Sequence, residues 1–166
     1  VYPLVQARKH VLAKSVYSAI NMPPFRQSSM DGYALCLHES LEYECIGEVK
    51  AGDEHQIALV PGQAVKIFTG AAVPDTAQAV VQIEIVKRME SIIQLDKQPF
   101  IGMNVRPIGE QISSGDLALE KGTQLNPAAI GFLTSLGYTT VKVFAKPRVG
   151  IVVTGNELVQ PGTPLN

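Results

Sequence analysis

The segment MPPFRQSSMDGYA, residues 22–34, holds the densest group of polar residues in the chain. Its two adjacent prolines exclude a helix at that point and begin an extended passage, after which the sequence becomes β-like. Asp31 therefore lies in a predicted loop, where its carboxylate could bind a metal ion or orient a water molecule. The same residue could instead cap an Asp-Gly turn, and the residue types alone favour that interpretation.

Before this segment, residues 4–20 carry apolar side chains at a spacing that predicts one face of a helix. They are Leu4, Ala7, Val11, Leu12, Val16 and Ile20. Residues 16–20 fit a strand equally well, so both interpretations stay open for this stretch.

After the segment, residues 41–95 alternate short apolar stretches with glycine and proline, which indicates short strands separated by turns. The predicted strands cover residues 43–49, 64–68, 79–86 and 92–95. Short strands at this spacing are typical of a small barrel or sandwich.

Residues 126–137 predict a short helix, because Asn126 suits the N-cap, Pro127 the first turn and Gly137 the C-terminal position. A strand is predicted at residues 139–144. Residues 149–153 are continuously apolar, as in a parallel strand that is buried on both faces. Since only residues 154–166 follow, we expect a third domain to begin here and to be cut off.

Three further segments carry groups that could bind a ligand. Thr69 and Gly70 follow a predicted strand, and a hydroxyl with free glycine amides could hold an oxyanion, although an ordinary strand-to-turn transition fits better. Glu157 follows residues 149–153 and could bind Mg²⁺, or it could complement a helix dipole. Arg106 could bind a phosphate or form a salt bridge.

Composition excludes several classes of protein. The formal net charge is -1, without the excess of Lys and Arg typical of nucleic-acid-binding surfaces. No apolar run is long enough to span a membrane, so we expect neither a nucleic-acid nor a membrane partner. The two cysteines do not make a disulfide scaffold, and with His38 they do not form a zinc pattern. A reducing cytoplasm is the expected location.

The order of several segments along the chain resembles the MoeA/gephyrin-E family of molybdopterin molybdotransferases. The segments are residues 22–34, 47–52, 67–74, 104–110, 114–122, 126–137 and 147–158. The chain departs from the family pattern in having Lys9-His10 for Gly-Arg, Ser29 for the usual alanine and Asn156 for the usual aspartate. It is also only about half as long as the family's members or shorter, so the resemblance covers the N-terminal portion, domains I and II.

The resemblance implies an α+β, mostly β fold in an elongated two-domain scaffold. Domain I, for dimerisation, would comprise residues 1–27 and 101–146, and domain II, a small inserted β-domain, residues 28–100. Residues 147–166 would begin a truncated α/β substrate domain. The family forms homodimers, in which domain II of one subunit faces the α/β domain of the other across the active site.

The implied reaction joins molybdate to adenylyl-molybdopterin and yields molybdenum cofactor and AMP, with Mg²⁺ as cofactor. By match of motif, Asp31, Thr69 and Glu157 would be catalytic, with Asp31 and Glu157 also binding the metal. Ser28, Gly70 and Arg106 would bind the pterin substrate. Molybdopterin adenylyltransferase would be the partner in the pathway. The chain alone is expected to be inactive, and the alternative role is a non-catalytic dimerisation or scaffold module.

Overall fold

The computed structural model describes residues 1–53, 57–155 and 157–164, and within them it is mostly β with one α-helix. The strands are β1 (Tyr2–Pro3), β2 (Val16–Tyr17), β3 (Gln27–Ser28), β4 (Gly32–Leu35), β5 (Glu42–Val49), β6 (Gln63–Ile67), β7 (Ala79–Gln82), β8 (Lys87–Met89), β9 (Ile92–Gln94), β10 (Val105–Arg106), β11 (Leu117–Leu119) and β12 (Thr140–Val141), and the helix is α1 (Pro127–Ser135). The prediction of a mostly β chain is therefore confirmed. No helix in the described ranges is both long and apolar enough to cross a lipid bilayer.

Six strands form the largest sheet, in the order β7-β4-β6-β5-β9-β8. All neighbours are antiparallel except β5 and β6, which are parallel. The four strands predicted from the sequence are confirmed as β5, β6, β7 and β9, although the third is shorter than predicted because a 3-10 turn, Ile83–Ile85, follows Gln82.

Strand β4 lies next to β6 inside the sheet and was not predicted. All four of its residues are buried, so it lacks the alternation of apolar and polar side chains that marks a half-exposed strand. It also begins at Gly32, which in sequence belongs to an Asp-Gly turn. The short, exposed strand β8 was likewise not predicted.

Each face of this sheet covers an apolar cluster, because successive side chains of a strand point to opposite faces. One cluster contains Val65, Ile67 and Val80. The other contains Tyr33 and its neighbours from β5 and β9. The sheet is therefore held by packing on both faces as well as by hydrogen bonds.

A separate apolar cluster surrounds α1 and includes Leu4, Ala7, Leu12, Leu125 and Leu133. The side chain of Asn126 accepts a hydrogen bond from the Ala129 amide at 2.8 Å, and Gly137 has φ 85, so both predicted helix ends are confirmed.

The predicted helix at residues 4–20 is wrong. The structure has only a 3-10 turn, Leu4–Gln6, followed by single bridges from Val11 and Leu12 to distant residues and by β2. The strand alternative for residues 16–20 holds for Val16–Tyr17. Apolar spacing predicted which residues face the core, but pairing with distant segments fixed the backbone.

The predicted strand at residues 149–153 is also absent from the described residues. Val149 is 80% exposed and Ile151 is 87% exposed, and no described strand pairs with either. An apolar segment without a neighbouring strand on either edge cannot bury itself, which agrees with the exposure of these side chains.

Candidate functional site

The candidate site lies where β4 begins and β6 ends. These two strands are antiparallel, with Gly32 opposite Ile67. The residue before β4 and the residues after β6 therefore meet at one end of the sheet. This topology brings Asp31 and Thr69, which are 38 positions apart in sequence, into direct contact.

Asp31 Oδ1 accepts two hydrogen bonds from Thr69, one from the amide and one from the hydroxyl, both at 2.7 Å. The backbone carbonyl of Asp31 accepts a third from the Ile83 amide at 3.0 Å. The Asp-Gly turn predicted as one alternative is not formed, because Gly32 is the first residue of β4, and the Asp31 carboxylate instead bonds to Thr69 in the turn after β6. Both site residues are nevertheless exposed, so the pair also faces solvent.

The outward-facing groups of the pair are hydrogen-bond acceptors. Asp31 Oδ2 makes no hydrogen bond to any described residue. Thr69 donates its hydroxyl proton to Asp31, which leaves the oxygen lone pairs free. Oxygen acceptors of this kind fit a cation, a hydrated cation or the donor groups of a ligand.

The environment keeps Asp31 ionised. Its pKa is lowered below the ordinary value, first by the Thr69 amide, then by the Thr69 hydroxyl, with a smaller contribution from the charge of Lys66. Lys66 Nζ in turn lies 3.2 Å from Glu48 Oε2 and 4.8 Å from the centre of the Phe68 ring. A charged carboxylate is the form that binds metal ions.

The expectation of free glycine amides at the turn after β6 is wrong. Gly70 donates its amide to the Ser28 carbonyl at 2.9 Å, and Ala71 donates to Phe68 at 3.0 Å. With the Thr69 amide on Asp31, three successive amides are used within the protein. An anion at this turn would therefore need donors from elsewhere.

Ser28 supports the loop from beneath. It is 1% exposed, and its hydroxyl donates to the Met30 carbonyl at 2.7 Å. Its amide donates to the Ala71 carbonyl at 3.0 Å. The side chain predicted to contact the pterin is thus directed into the protein, because the loop needs this hydroxyl for its own backbone.

Arg106 lies on β10, opposite Gln27 of β3, and is about half exposed. Its Nε is 3.9 Å from Glu110 Oε2, at the limit of an ion pair. The salt-bridge alternative is therefore realised only weakly, since exposed pairs of this kind contribute little to stability.

Glu157 is exposed in a turn, close to Gly155. No hydrogen bond or ion pair among the described residues joins it to the Asp31–Thr69 pair. Asn156, one of the positions that depart from the family pattern, lies outside the described residues. The structure thus brings together Asp31, Thr69, Ser28 and Gly70, but not Glu157.

Three residues of the site were missed from the sequence. The Gln27 side chain donates to the Gly70 carbonyl at 3.2 Å. Lys66 carries the nearby positive charge, and the Asn104 carbonyl accepts two hydrogen bonds from Ser29. No local pattern marks these residues, because each acts on a segment distant in sequence.

Cys36 and Cys45 are free thiols, and burial raises the pKa of Cys36. Over the residues that the structure describes, no three His, Cys, Asp or Glu side chains form a cluster able to hold a metal ion.

Comparison with known proteins places the chain in a family. Residues 1–137 match the family described as MoeA N-terminal region (domain I and II). The chain is 37% identical to the molybdopterin molybdenumtransferase of Haemophilus influenzae, over 98% of the chain and 41% of that protein. It is 35% identical to the Bacillus subtilis enzyme of the same name, over 93% of the chain and 39% of that protein.

Solved structures give the same result. The chain superposes on a crystal structure of the molybdopterin biosynthesis MoeA protein from Pyrococcus horikoshii OT3 with a TM-score of 0.89 and 35% identity, covering 97% of the chain and 45% of that protein. The chain spans about two fifths of the length of the curated relatives it matches. By sequence and by fold, the chain belongs to the MoeA N-terminal region family.

Proposed function

We propose that this chain is the scaffold and β-domain part of a molybdopterin molybdenumtransferase, which joins molybdate to adenylyl-molybdopterin and releases molybdenum cofactor and AMP. The relatives that carry this name support the activity. The observation that supports a role for this chain in it is the Asp31–Thr69 pair, an exposed carboxylate held in place and kept ionised at the end of a buried sheet.

The substrates explain why such a pair would be needed. Molybdate and an adenylylated pterin are both anions, so they repel each other and also repel Asp31. A cation between them would relieve that repulsion. The outward acceptors of Asp31 and Thr69 suit a cation better than an anion. The amides of the turn support the same conclusion, because they already donate within the protein and are not free to bind an anion.

Mg²⁺ fits these residues. It prefers oxygen ligands, keeps several waters, and often binds to one or two carboxylates together with substrate phosphates. Asp31 Oδ2 would be the protein ligand on this side, and Glu157 would be the second carboxylate. When bound, the ion would neutralise negative charge on the phosphate and on molybdate.

The residues of this chain have separate tasks in the proposal. Asp31 would also orient the water that attacks the anhydride, since the two hydrogen bonds from Thr69 fix the direction of its carboxylate. Arg106, which is half exposed, would bind a phosphate of the pterin substrate. Ser28 and Gly70 would act on the substrate indirectly, by shaping the loop.

The proposed domain organisation follows the family. Residues 1–27 and 101–146 would form domain I, residues 28–100 domain II, and residues 147–166 the start of the α/β domain. The separate apolar clusters around α1 and on the six-stranded sheet support the first division. The assembly would be a cytoplasmic homodimer in which Glu157 of one subunit faces Asp31 of the other, and it would receive its substrate from molybdopterin adenylyltransferase.

The decisive experiment measures turnover of adenylyl-molybdopterin and molybdate by the full-length protein. Asp31→Asn preserves the shape of the side chain and removes its charge, and we expect kcat to fall about 100-fold or more. The matched control is Asp75→Asn, which removes an exposed carboxylate from the same sheet region and should leave kcat unchanged.

Unchanged kcat in Asp31→Asn would overturn the role of this residue. A full-length wild-type protein that folds and dimerises without any turnover would favour the scaffold role instead.

A further inference from the structure

The segment of residues 28–31, here called the site loop, is tethered at three points. Its first residue exchanges backbone hydrogen bonds with the turn after β6, through Gly70 and Ala71. Its last residue bonds to Thr69 and Ile83. The middle is held by the backbone carbonyl of Asn104, which bonds to Ser29, and by Gln82 Nε2, which donates to the Met30 sulfur at 3.3 Å.

The Asn104 carbonyl accepts two hydrogen bonds from Ser29. The Ser29 amide and the Ser29 hydroxyl each donate to it at 3.1 Å. The Asn104 side chain donates to the Val80 carbonyl of β7 at 3.0 Å. Asn104 thus joins the site loop to the edge of the six-stranded sheet. The Ser29 hydroxyl is an addition in this chain, since the family resemblance has alanine at that position.

The backbone of Asn104 adopts φ 52, in the left-handed region that few residues other than glycine, asparagine and aspartate occupy readily. The chain turns there from the edge of β7 into β10, which pairs with β3 just before the site loop. On the β7 side, Val80 donates to Met103 at 2.8 Å, which holds the turn against the sheet.

We propose that Asn104 is a positioning residue for the Asp31–Thr69 pair. Its side-chain amide fixes the turn on β7, the turn aims the Asn104 carbonyl at Ser29, and Ser29 holds the site loop so that Asp31 meets Thr69. Asparagine meets both requirements, whereas glycine tolerates the backbone but lacks the donor, and aspartate presents a carboxylate to the Val80 carbonyl. The catalytic consequence of this positioning rests on the proposed function.

The test compares Asn104→Gly with the wild type in the 166-residue chain by amide hydrogen exchange. Exchange at Thr69 reports directly on its bond to Asp31. We expect about fivefold faster exchange at Thr69 relative to the amides of β6, because one supporting hydrogen bond is lost while the backbone conformation remains accessible. Ser29→Ala removes only the additional hydroxyl, so it should also accelerate exchange at Thr69, by a smaller factor.

The control is Asn126→Ala, which removes a side-chain hydrogen bond of similar length at the start of α1. It should leave the ratio of Thr69 exchange to β6 exchange unchanged. If Asn104→Gly also leaves this ratio unchanged, or accelerates all amides equally, Asn104 is merely structural and the proposal is overturned.

A second arm uses full-length protein. We expect Asn104→Gly to lower kcat several-fold with little change in KM, since the pair is displaced but the substrate contacts remain. If Thr69 exchange rises while kcat does not change, the positioning by Asn104 stands and the catalytic role proposed for Asp31 fails. An unaltered exchange ratio overturns the positioning whatever kcat does.

Discussion

The sheet region, residues 28–100, and the region around α1, residues 1–27 and 101–146, both bury an apolar core, but with different backbone structure. In the sheet region, six paired strands place one cluster on each face. In the region around α1, strands of two or three residues and single bridges surround one helix. The contrast shows that a buried core does not require long regular elements, provided that distant segments satisfy each other's backbone hydrogen bonds.

The two regions also differ in charge. The sheet region has eleven Asp and Glu against five Lys and Arg, and the region around α1 has three against eight. The net charge of -1 therefore conceals an acidic region and a basic region. Asp31 lies in the acidic region, whose net negative charge attracts cations rather than anions at long range, in agreement with the proposed role for Mg²⁺.

The largest expected effect is from Gly32→Ala, at the start of β4. A Cβ atom there would lie 1.9 Å from the Val81 carbonyl oxygen, so β4 and the edge strand β7 would have to separate. We expect a loss of more than about 4 kcal/mol in the free energy of unfolding, measured with urea. Gly131→Ala in α1 is the control, since nothing lies within 4 Å of its Cβ position, and it should stabilise by about 0.5–1 kcal/mol. Equal effects of the two substitutions would refute the close packing of β4.

Leu12→Ala tests whether the core around α1 is as well packed as that of the sheet. Leu12 and Leu35 are both 0% exposed, although only Leu35 lies on a regular strand. We expect each substitution to alanine to cost about 3 kcal/mol in urea unfolding. The exposed Val5 is the control, and Val5→Ala should change stability by less than about 0.5 kcal/mol. A much smaller loss for Leu12→Ala would mean that the irregular core is loosely packed.

Asn126→Ala tests the contribution of a local signal in the region around α1. The substitution removes the side-chain bond to the Ala129 amide, and we expect a loss of about 1 kcal/mol in thermal or urea unfolding. Asn126→Ser retains a capping oxygen and should recover most of that stability. If both variants behave alike, capping does not stabilise this helix.

The smallest expected effect is the pH dependence that Asp31 contributes to the sheet region. Because its pKa is lowered in the folded state, its stabilising contribution is present above the ordinary value of 3.8 and is lost as the pH falls through the lowered pKa. Urea unfolding of the wild type and Asp31→Asn should therefore differ slightly at neutral pH and converge in acid. Asp75→Asn serves as the control. A difference that grows as the pH falls would contradict the lowered pKa.

Local chemistry predicted those features that depend on neighbouring residues. Asn126, Pro127 and Gly137 define α1 because caps and turns act within a few positions. The strands β5, β6, β7 and β9 were predicted because each is a short stretch with apolar residues, bounded by glycine and proline turns. The ordered motifs also identified the family, since they depend on sequence alone.

Tertiary structure decided what depends on distant partners. It made residues 4–12 a turn with single bridges rather than a helix, because Leu12 bonds to Thr123 and pairs with Val143. It also engages the Gly70 amide in a hydrogen bond to the Ser28 carbonyl. By pairing β4 with β6, it brings Asp31 into contact with Thr69. By itself the sequence determined which residues are apolar, capping or charged. Only the fold determined which of them meet, because strand pairing joins residues that no local pattern connects.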